Sequence, residues 1–314
     1  MAEPTFFYVS EVGVVHVMGH DGLDLLQSLS TQDLRGLSTP NRMAWALFTT
    51  AQGKLIDFTT VLAGTGRLEV LTASAKAQSI KDWIDKYTIM EDVSTVDASS
   101  DWVELILDGD NAAHCIDLPE LPGPGVVVES LGVRWWRSLP AFSARVHALV
   151  PKTAAAALQE RLRQAGAVPA DPAMFELARL RAVVPSPVCE YPGEVNPLEL
   201  HLHHAAVSFS KGCYIGQEVI SRLDSYDKVA RTLMGFVTSE ALEPGPDTRL
   251  LSLNGQILGR ITSCMPRPEG GSIGLALLKR DAAEPGPVLV SGEPNMPAEL
   301  RDTPFCQGAK KLRA

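Results

Sequence analysis

The sequence predicts an α+β chain that ends in a small antiparallel β-barrel. Three observations carry this. The first 180 residues alternate strand-like and helix-like apolar patterns. After about residue 230 only short apolar strands recur, with turns between them. Between the two lies the proline-rich connection Pro185 to Pro197 and a glycine-flanked loop, Lys211-Gly212-Cys213-Tyr214-Ile215-Gly216-Gln217-Glu218.

In chain order, Val12, Val14 and His16 alternate with Gly13, Val15 and Val17, which predicts a strand buried on both faces. It ends at Gly19-His20-Asp21-Gly22, where Asp21 is placed to cap a helix carrying Leu23, Leu26 and Leu29. Strand patterning returns at 45–62, broken by a hairpin turn at Gln52-Gly53-Lys54. A further strand follows at Leu68–Leu71. Ile80, Trp83, Ile84 and Tyr87 then make one apolar helical stripe. Strands near 91–97 and 102–107 and a short helix near 110–116 precede the Pro/Gly-rich stretch Leu118–Gly125, which reads as a surface loop. A helix with Ala155, Leu158 and Leu162 closes at Gly166, and the next begins with Asp171 and Pro172. In the last third, strands are expected at 232–238, 248–253, 256–263, 272–278 and 287–291. Asn254-Gly255 is the hairpin signal among them.

Composition bounds the function. The chain has 314 residues and a net charge of −9, from 28 basic and 37 acidic residues, which opposes a nucleic-acid backbone. Its longest basic cluster, Lys310-Lys311-Leu312-Arg313, reads as a solvated tail. No apolar run approaches the roughly 20 residues that span a bilayer, and the N-terminus lacks signal-peptide character. A cytoplasmic protein, with neither nucleic acid nor membrane as direct partner, is the expectation. Five scattered cysteines (Cys115, Cys189, Cys213, Cys264 and Cys306) form neither a disulfide framework nor a close metal pair.

The chemistry concentrates between Asn196 and Arg231. Val219, Ile220 and Leu223 predict a short helix, which sets Cys213 just before a helix N-terminus and beside Lys211. Both features favour a thiolate, while a buried structural cysteine is the plain alternative. A cysteine hydrolase would need a histidine base, and His201, His203 and His204 are near only in sequence. In a strand His201, His203 and Glu199 would share a face as metal ligands. No second cluster completes such a site, and no metal is expected. Gly64-Thr65-Gly66 lacks the third glycine of a dinucleotide fingerprint, and no phosphate-binding loop occurs.

Asn196-Pro197-Leu198-Glu199, Ser208 through Val219, Arg222 and Asp227 through Arg231 resemble the signature of the YgfZ-type folate-binding family, which is similar to the glycine-cleavage T-protein, an aminomethyltransferase. The resemblance implies a three-lobed fold around a central tetrahydrofolate channel. The expected lobes are residues 1–48 with 140–228, residues 49–139, and a barrel at 229–314. It implies that Glu199 holds the pterin ring, whose amino and ring N–H groups suit a carboxylate. Lys211, Gly212, Tyr214, Gln217 and Arg231 are the other expected cofactor-binding residues. T-proteins carry an Asp-Asp pair after the glycine hairpin. Here Leu55-Ile56-Asp57-Phe58 keeps one carboxylate, and Cys213 stands where T-proteins have no cysteine. The resemblance therefore implies a folate-dependent accessory to iron–sulfur cluster assembly or repair, with Cys213 as the functional group. Iron–sulfur proteins or their assembly factors would be the partners. The alternative is an aminomethyltransferase with Asp57 as the catalytic acid.

Overall fold

The computed structural model describes residues 4–139, 144–191 and 194–301. Cys306 and the basic cluster at 310–313 lie outside the described residues. From the N-terminus, β1 (Phe6–Ser10) and β2 (Gly13–Met18) lead into α1 (Gly22–Leu29), then β3 (Met43–Thr49), β4 (Leu55–Gly64), β5 (Arg67–Thr72) and α2 (Ala77–Tyr87). Next come β6 (Ser94–Asp97), β7 (Trp102–Asp108), α3 (Ala112–Cys115), β8 (Val127–Ser130), β9 (Val133–Arg137), β10 (Arg145–Pro151), α4 (Lys152–Gln164), β11 (Val168–Pro169) and α5 (Pro172–Arg181). Two short helices, α6 (His203–Ala206) and α7 (Gln217–Ser225), flank the signature loop. The barrel strands are β12 (Arg231–Thr238), β13 (Arg249–Leu251), β14 (Ile257–Pro266), β15 (Ser272–Lys279), β16 (Gly286–Val290) and β17 (Met296–Arg301).

The α+β class and the antiparallel barrel expected from the sequence are what the chain forms. One sheet runs β3-β4-β5-β2-β6, a second runs β11-β1-β7-β10-β9-β8, and the closed barrel runs β12-β15-β14-β13-β16-β17. The short β11 pairs parallel with β1. By internal contacts the chain divides into two compact units. One holds Met1–Ala51, Ile56–Pro172 and Ala206–Gln217; the other holds Gln52–Leu55, Ala173–Ala205 and Glu218–Ala314.

In the first unit both open sheets are buried through the alternation of their strands. On β2, Val15 and Val17 join Leu25, Leu26 and Leu29 of α1 and Ile80 and Ile84 of α2 in one core. Val12 and Val14, of opposite parity, pack with Trp136 and Leu149 in another, between the two sheets. Each fully buried aliphatic side chain contributes about 1.5–3 kcal/mol through removal from water. The other face of the six-stranded sheet takes Leu158 and Leu162 of α4. In the second unit the barrel is filled by residues including Met234, Phe236, Leu250, Leu278 and Leu300.

Some local expectations are corrected. Asp21 precedes α1 but makes no side-chain cap. Its carboxylate instead accepts the Asp92 amide at 2.8 Å and contacts the His20 ring at 3.0 Å, tying two loops together. The segment 201–204 is a turn running into α6, not a strand, so strand alternation does not bring Glu199, His201 and His203 to one face. Strand β17, which the sequence reading did not include, closes the barrel; Met296, Ala298 and Leu300 do alternate with Pro297, Glu299 and Arg301, but a proline within a run argues against a strand. Among the described residues no helix is long and apolar enough to cross a membrane.

Candidate functional site

The signature loop is anchored on the end of α1. A helix leaves its last carbonyls without intrahelical donors, and α1 has no basic residue in its last turn. Lys211 supplies one from 180 residues away. Its ammonium donates to the carbonyl oxygens of Gln27 at 2.5 Å, Ser30 at 2.8 Å and Gln32 at 2.7 Å. These three bonds use every donor a lysine has, and they set its charge at the favourable end of the helix dipole. Burial pushes the Lys211 pKa down to about 8.

Further bonds fix the loop on either side. The Thr31 hydroxyl donates to Ala206 O at 2.5 Å, and the Ser208 amide donates to Thr31 O at 3.0 Å. The Ile215 amide donates to Ser28 O at 3.3 Å, while Ile215 O accepts the Thr49 hydroxyl at 2.7 Å. Tyr214 is buried, with the Lys211 ammonium 5.5 Å from its ring centre. Gly216 has φ +87°, a conformation that favours glycine, whereas Gly212 has an ordinary backbone and open space where a side chain would be. Between the anchors at Lys211 and Ile215, Gly212 and Cys213 are exposed while Tyr214 is buried.

Two expectations for Cys213 change. The lysine charge expected to favour a thiolate is committed to carbonyl oxygens. Helix α7 begins only at Gln217, not directly after the cysteine. Accessibility is what distinguishes Cys213: Cys115 is buried, and Cys264 is held by burial to a pKa of about 11.

In the second unit, the hairpin tip and the Asn196–Glu199 segment form one structure. The Asn196 side-chain amide donates to Gly53 O at 2.8 Å, Lys54 Nζ to Glu194 O at 3.0 Å, and the Leu55 amide to Val195 O at 2.8 Å. Glu199 follows in a turn whose amide donates to Asn196 O. Its buried carboxylate takes a bidentate pair from Arg231, Nε to Oε1 at 2.7 Å and Nη2 to Oε2 at 3.0 Å. The Asn196 amide adds a bond to Oε2 at 3.0 Å. Such paired, charge-assisted bonds fix a carboxylate in one orientation. Arg231, about a third exposed, carries this pair toward solvent.

The three histidines sit beside this segment. His201 adopts φ +60°, and its Nε2 lies 2.8 Å from the Thr232 hydroxyl. The rings of His203 and His204 are 3.9 Å apart. With Asp224, Asp227 and Arg280 these histidines line a cavity of about 440 Å³. Among the described residues no group of three or more His, Cys, Asp or Glu side chains is disposed to hold a metal ion.

Asp57 lies on β4 in the first unit with no exposed surface. One of its oxygens accepts the Thr72 hydroxyl, and the other makes no hydrogen bond among the described residues. Burial raises its pKa, opposed by the Thr72 hydroxyl and the charge of Lys76. Thr72, invisible as a site residue in the sequence, is brought there by the β4–β5 pairing.

No family model matches the chain. It is 27% identical over 319 residues to an aminomethyltransferase of Listeria monocytogenes, covering 97% of this chain and 87% of that protein. It is 26% identical over 301 residues to a chloroplastic protein of Arabidopsis thaliana named "Putative transferase At1g60990", covering 91% of this chain and 67% of that one. Its fold matches the crystal structure of the glycine cleavage system aminomethyltransferase T of Bartonella henselae. The TM-score is 0.80 at 16% identity, over 97% of this chain and 87% of that one. In sequence and fold the chain is aminomethyltransferase-like.

Proposed function

We propose that the protein is a cytoplasmic, tetrahydrofolate-binding accessory factor for iron–sulfur cluster assembly or repair, in which Cys213 is the reactive group. The observation that carries the reading is the presentation of Cys213. It is the only exposed cysteine among those described, in a loop pinned on both sides by bonds that Lys211, Ser208 and Ile215 make to the end of α1. Glu199 supports the folate half. Its carboxylate is oriented by Arg231 and offers acceptors for a pterin's amino and ring N–H groups. Gly212, Tyr214 and Gln217 are proposed to border the bound cofactor, with Lys211 acting through the loop it anchors. The three-lobe division given above belongs to the same reading. The test is genetic complementation: Cys213→Ala is expected to fail to restore iron–sulfur enzyme activity in a deletion strain that wild type restores. Equal rescue by both would remove Cys213 from the mechanism.

A second reading, aminomethyl transfer with Asp57 as acid, is favoured by one observation. Burial raises the Asp57 pKa, so the carboxyl is biased toward its protonated form. Against it, Asp57 has no exposed surface. Mixing the protein with an aminomethylated lipoyl carrier protein and tetrahydrofolate is expected to give no methylenetetrahydrofolate. Turnover lost in Asp57→Asn would establish the second reading instead.

A further inference from the structure

The cavity of about 440 Å³ in the second unit has no part in the function proposed above. His201 lines it from the turn that follows Asn196, and His203 and His204 line it from α6. Asp224 borders it from α7, Asp227 from the residues after that helix, and Arg280 from the segment after β15. Thr232 and Met234 reach it from β12. Strand alternation sets these two on the opposite side of β12 from Arg231, so the cavity lies apart from the Glu199–Arg231 pair.

The charges around the cavity do not balance. Arg280 is committed to Asp227, at 2.5 Å. Asp224 is half-buried, and no cation is paired with it among the described residues. It also stands in the last turn of α7, where the helix dipole disfavours a carboxylate. A histidine in ordinary surroundings loses its proton above about pH 6.5. Rings 3.9 Å apart, as those of His203 and His204 are, oppose each other's protonation. Near neutral pH the lining therefore keeps one negative charge without a counter-ion.

We propose that this cavity binds a small primary amine in its ammonium form. An ammonium has three N–H donors and no acceptor. Asp224 supplies the counter-charge, while the histidine rings and the Thr232 hydroxyl offer further acceptors. The apolar part of the wall, Leu198, Leu223, Val229 and Met234, suits a short alkyl body. A concave site of this volume is in the range that takes a small organic molecule. The inference stands independently of folate binding.

The test is calorimetric titration of the full chain at about pH 7.5 with n-butylamine, and separately with 1-butanol and sodium butyrate, at constant ionic strength. Butylammonium is expected to bind saturably, and butanol and butyrate at least about tenfold more weakly, since neither makes the charge-assisted bond to Asp224. Asp224→Asn is expected to weaken butylammonium binding about tenfold, and Asp224→Glu to retain it. Lowering the pH to about 5.5 should also weaken it, because protonated histidines repel an ammonium while carboxylates stay charged. Thermal melts establish that the variants are folded. His204→Leu, which removes an acceptor and is expected to weaken binding, is the second variant should Asp224→Asn fold poorly. Absence of saturable butylammonium binding would overturn the inference. So would equal binding of butanol, which would leave an apolar hollow, or of butyrate, which would leave an anion site. Binding that survives Asp224→Asn, or strengthens as the pH falls, would overturn it too. Tetrahydrofolate titrated into Asp224→Asn should bind as it does to wild type, so the folate reading stands or falls separately.

Discussion

Lys211 shows how one residue converts a sequence motif into a presented group. Its three carbonyl bonds hold the loop, yet burial lowers its pKa from 10.5 to about 8. Between those values the unfolded chain binds the proton more firmly than the folded one, so stability should rise as pH increases through that window. Urea unfolding followed from pH 7.5 to 10.5 is expected to show this rise, and Lys211→Met to flatten it. An unchanged slope in the variant would refute the assignment. Cys213 gives a second prediction at this scale. In the native protein a thiol reagent should react rapidly with Cys213 and slowly with the buried Cys115. Cys213→Ala should therefore remove a fast labelling phase. The cysteine was legible as a candidate from its glycine-flanked setting. Its neighbours' roles were not, because the carbonyls that take up the Lys211 charge lie about 180 residues earlier.

Among the elements, the hairpin at residues 51–54 is the most demanding. Gly53 has φ +68°, and a Cβ there would stand 3.1 Å from Val219 Cβ and Cγ1 and 3.3 Å from the Asn196 amide nitrogen. Gly53→Ala thus combines an unfavourable backbone, about 1 kcal/mol, with crowding against α7 and the Asn196 segment. We expect a loss of about 2 kcal/mol in all, read as a lowered urea midpoint. Gly132→Ala, at a positive φ with open space around it, should cost only the backbone part. Equal losses would show that the packing of the tip is unimportant. The turn itself was readable from Gln52-Gly53-Lys54, and so were most strands and long helices, since alternation and helical stripes are local signals. The turn at 201–202 and the helix start at His203 were not readable, because alternating histidines fit a strand's period as well as a turn. His201 there has φ +60°, and its ring meets the Thr232 hydroxyl, a partner 31 residues away.

At the scale of the whole molecule, an α+β unit with two open sheets and a unit bearing a closed barrel each present one half of the proposed chemistry. Composition and periodicity foretold the fold class and the barrel. What they left out were the long-range pairings of Glu199 with Arg231 and of Asp57 with Thr72, 32 and 15 positions apart and beyond the pattern of any single element. Glu199, oriented by Arg231, is proposed to receive the pterin of a reduced folate. This role is tested most directly by titrating tetrahydrofolate into wild type and Glu199→Gln, with thermal melts to confirm that both are folded. Saturable binding to wild type is expected, with affinity at least about tenfold weaker in the variant, the loss of one charge-assisted interaction. No binding to wild type, or equal binding to both proteins, would contradict it.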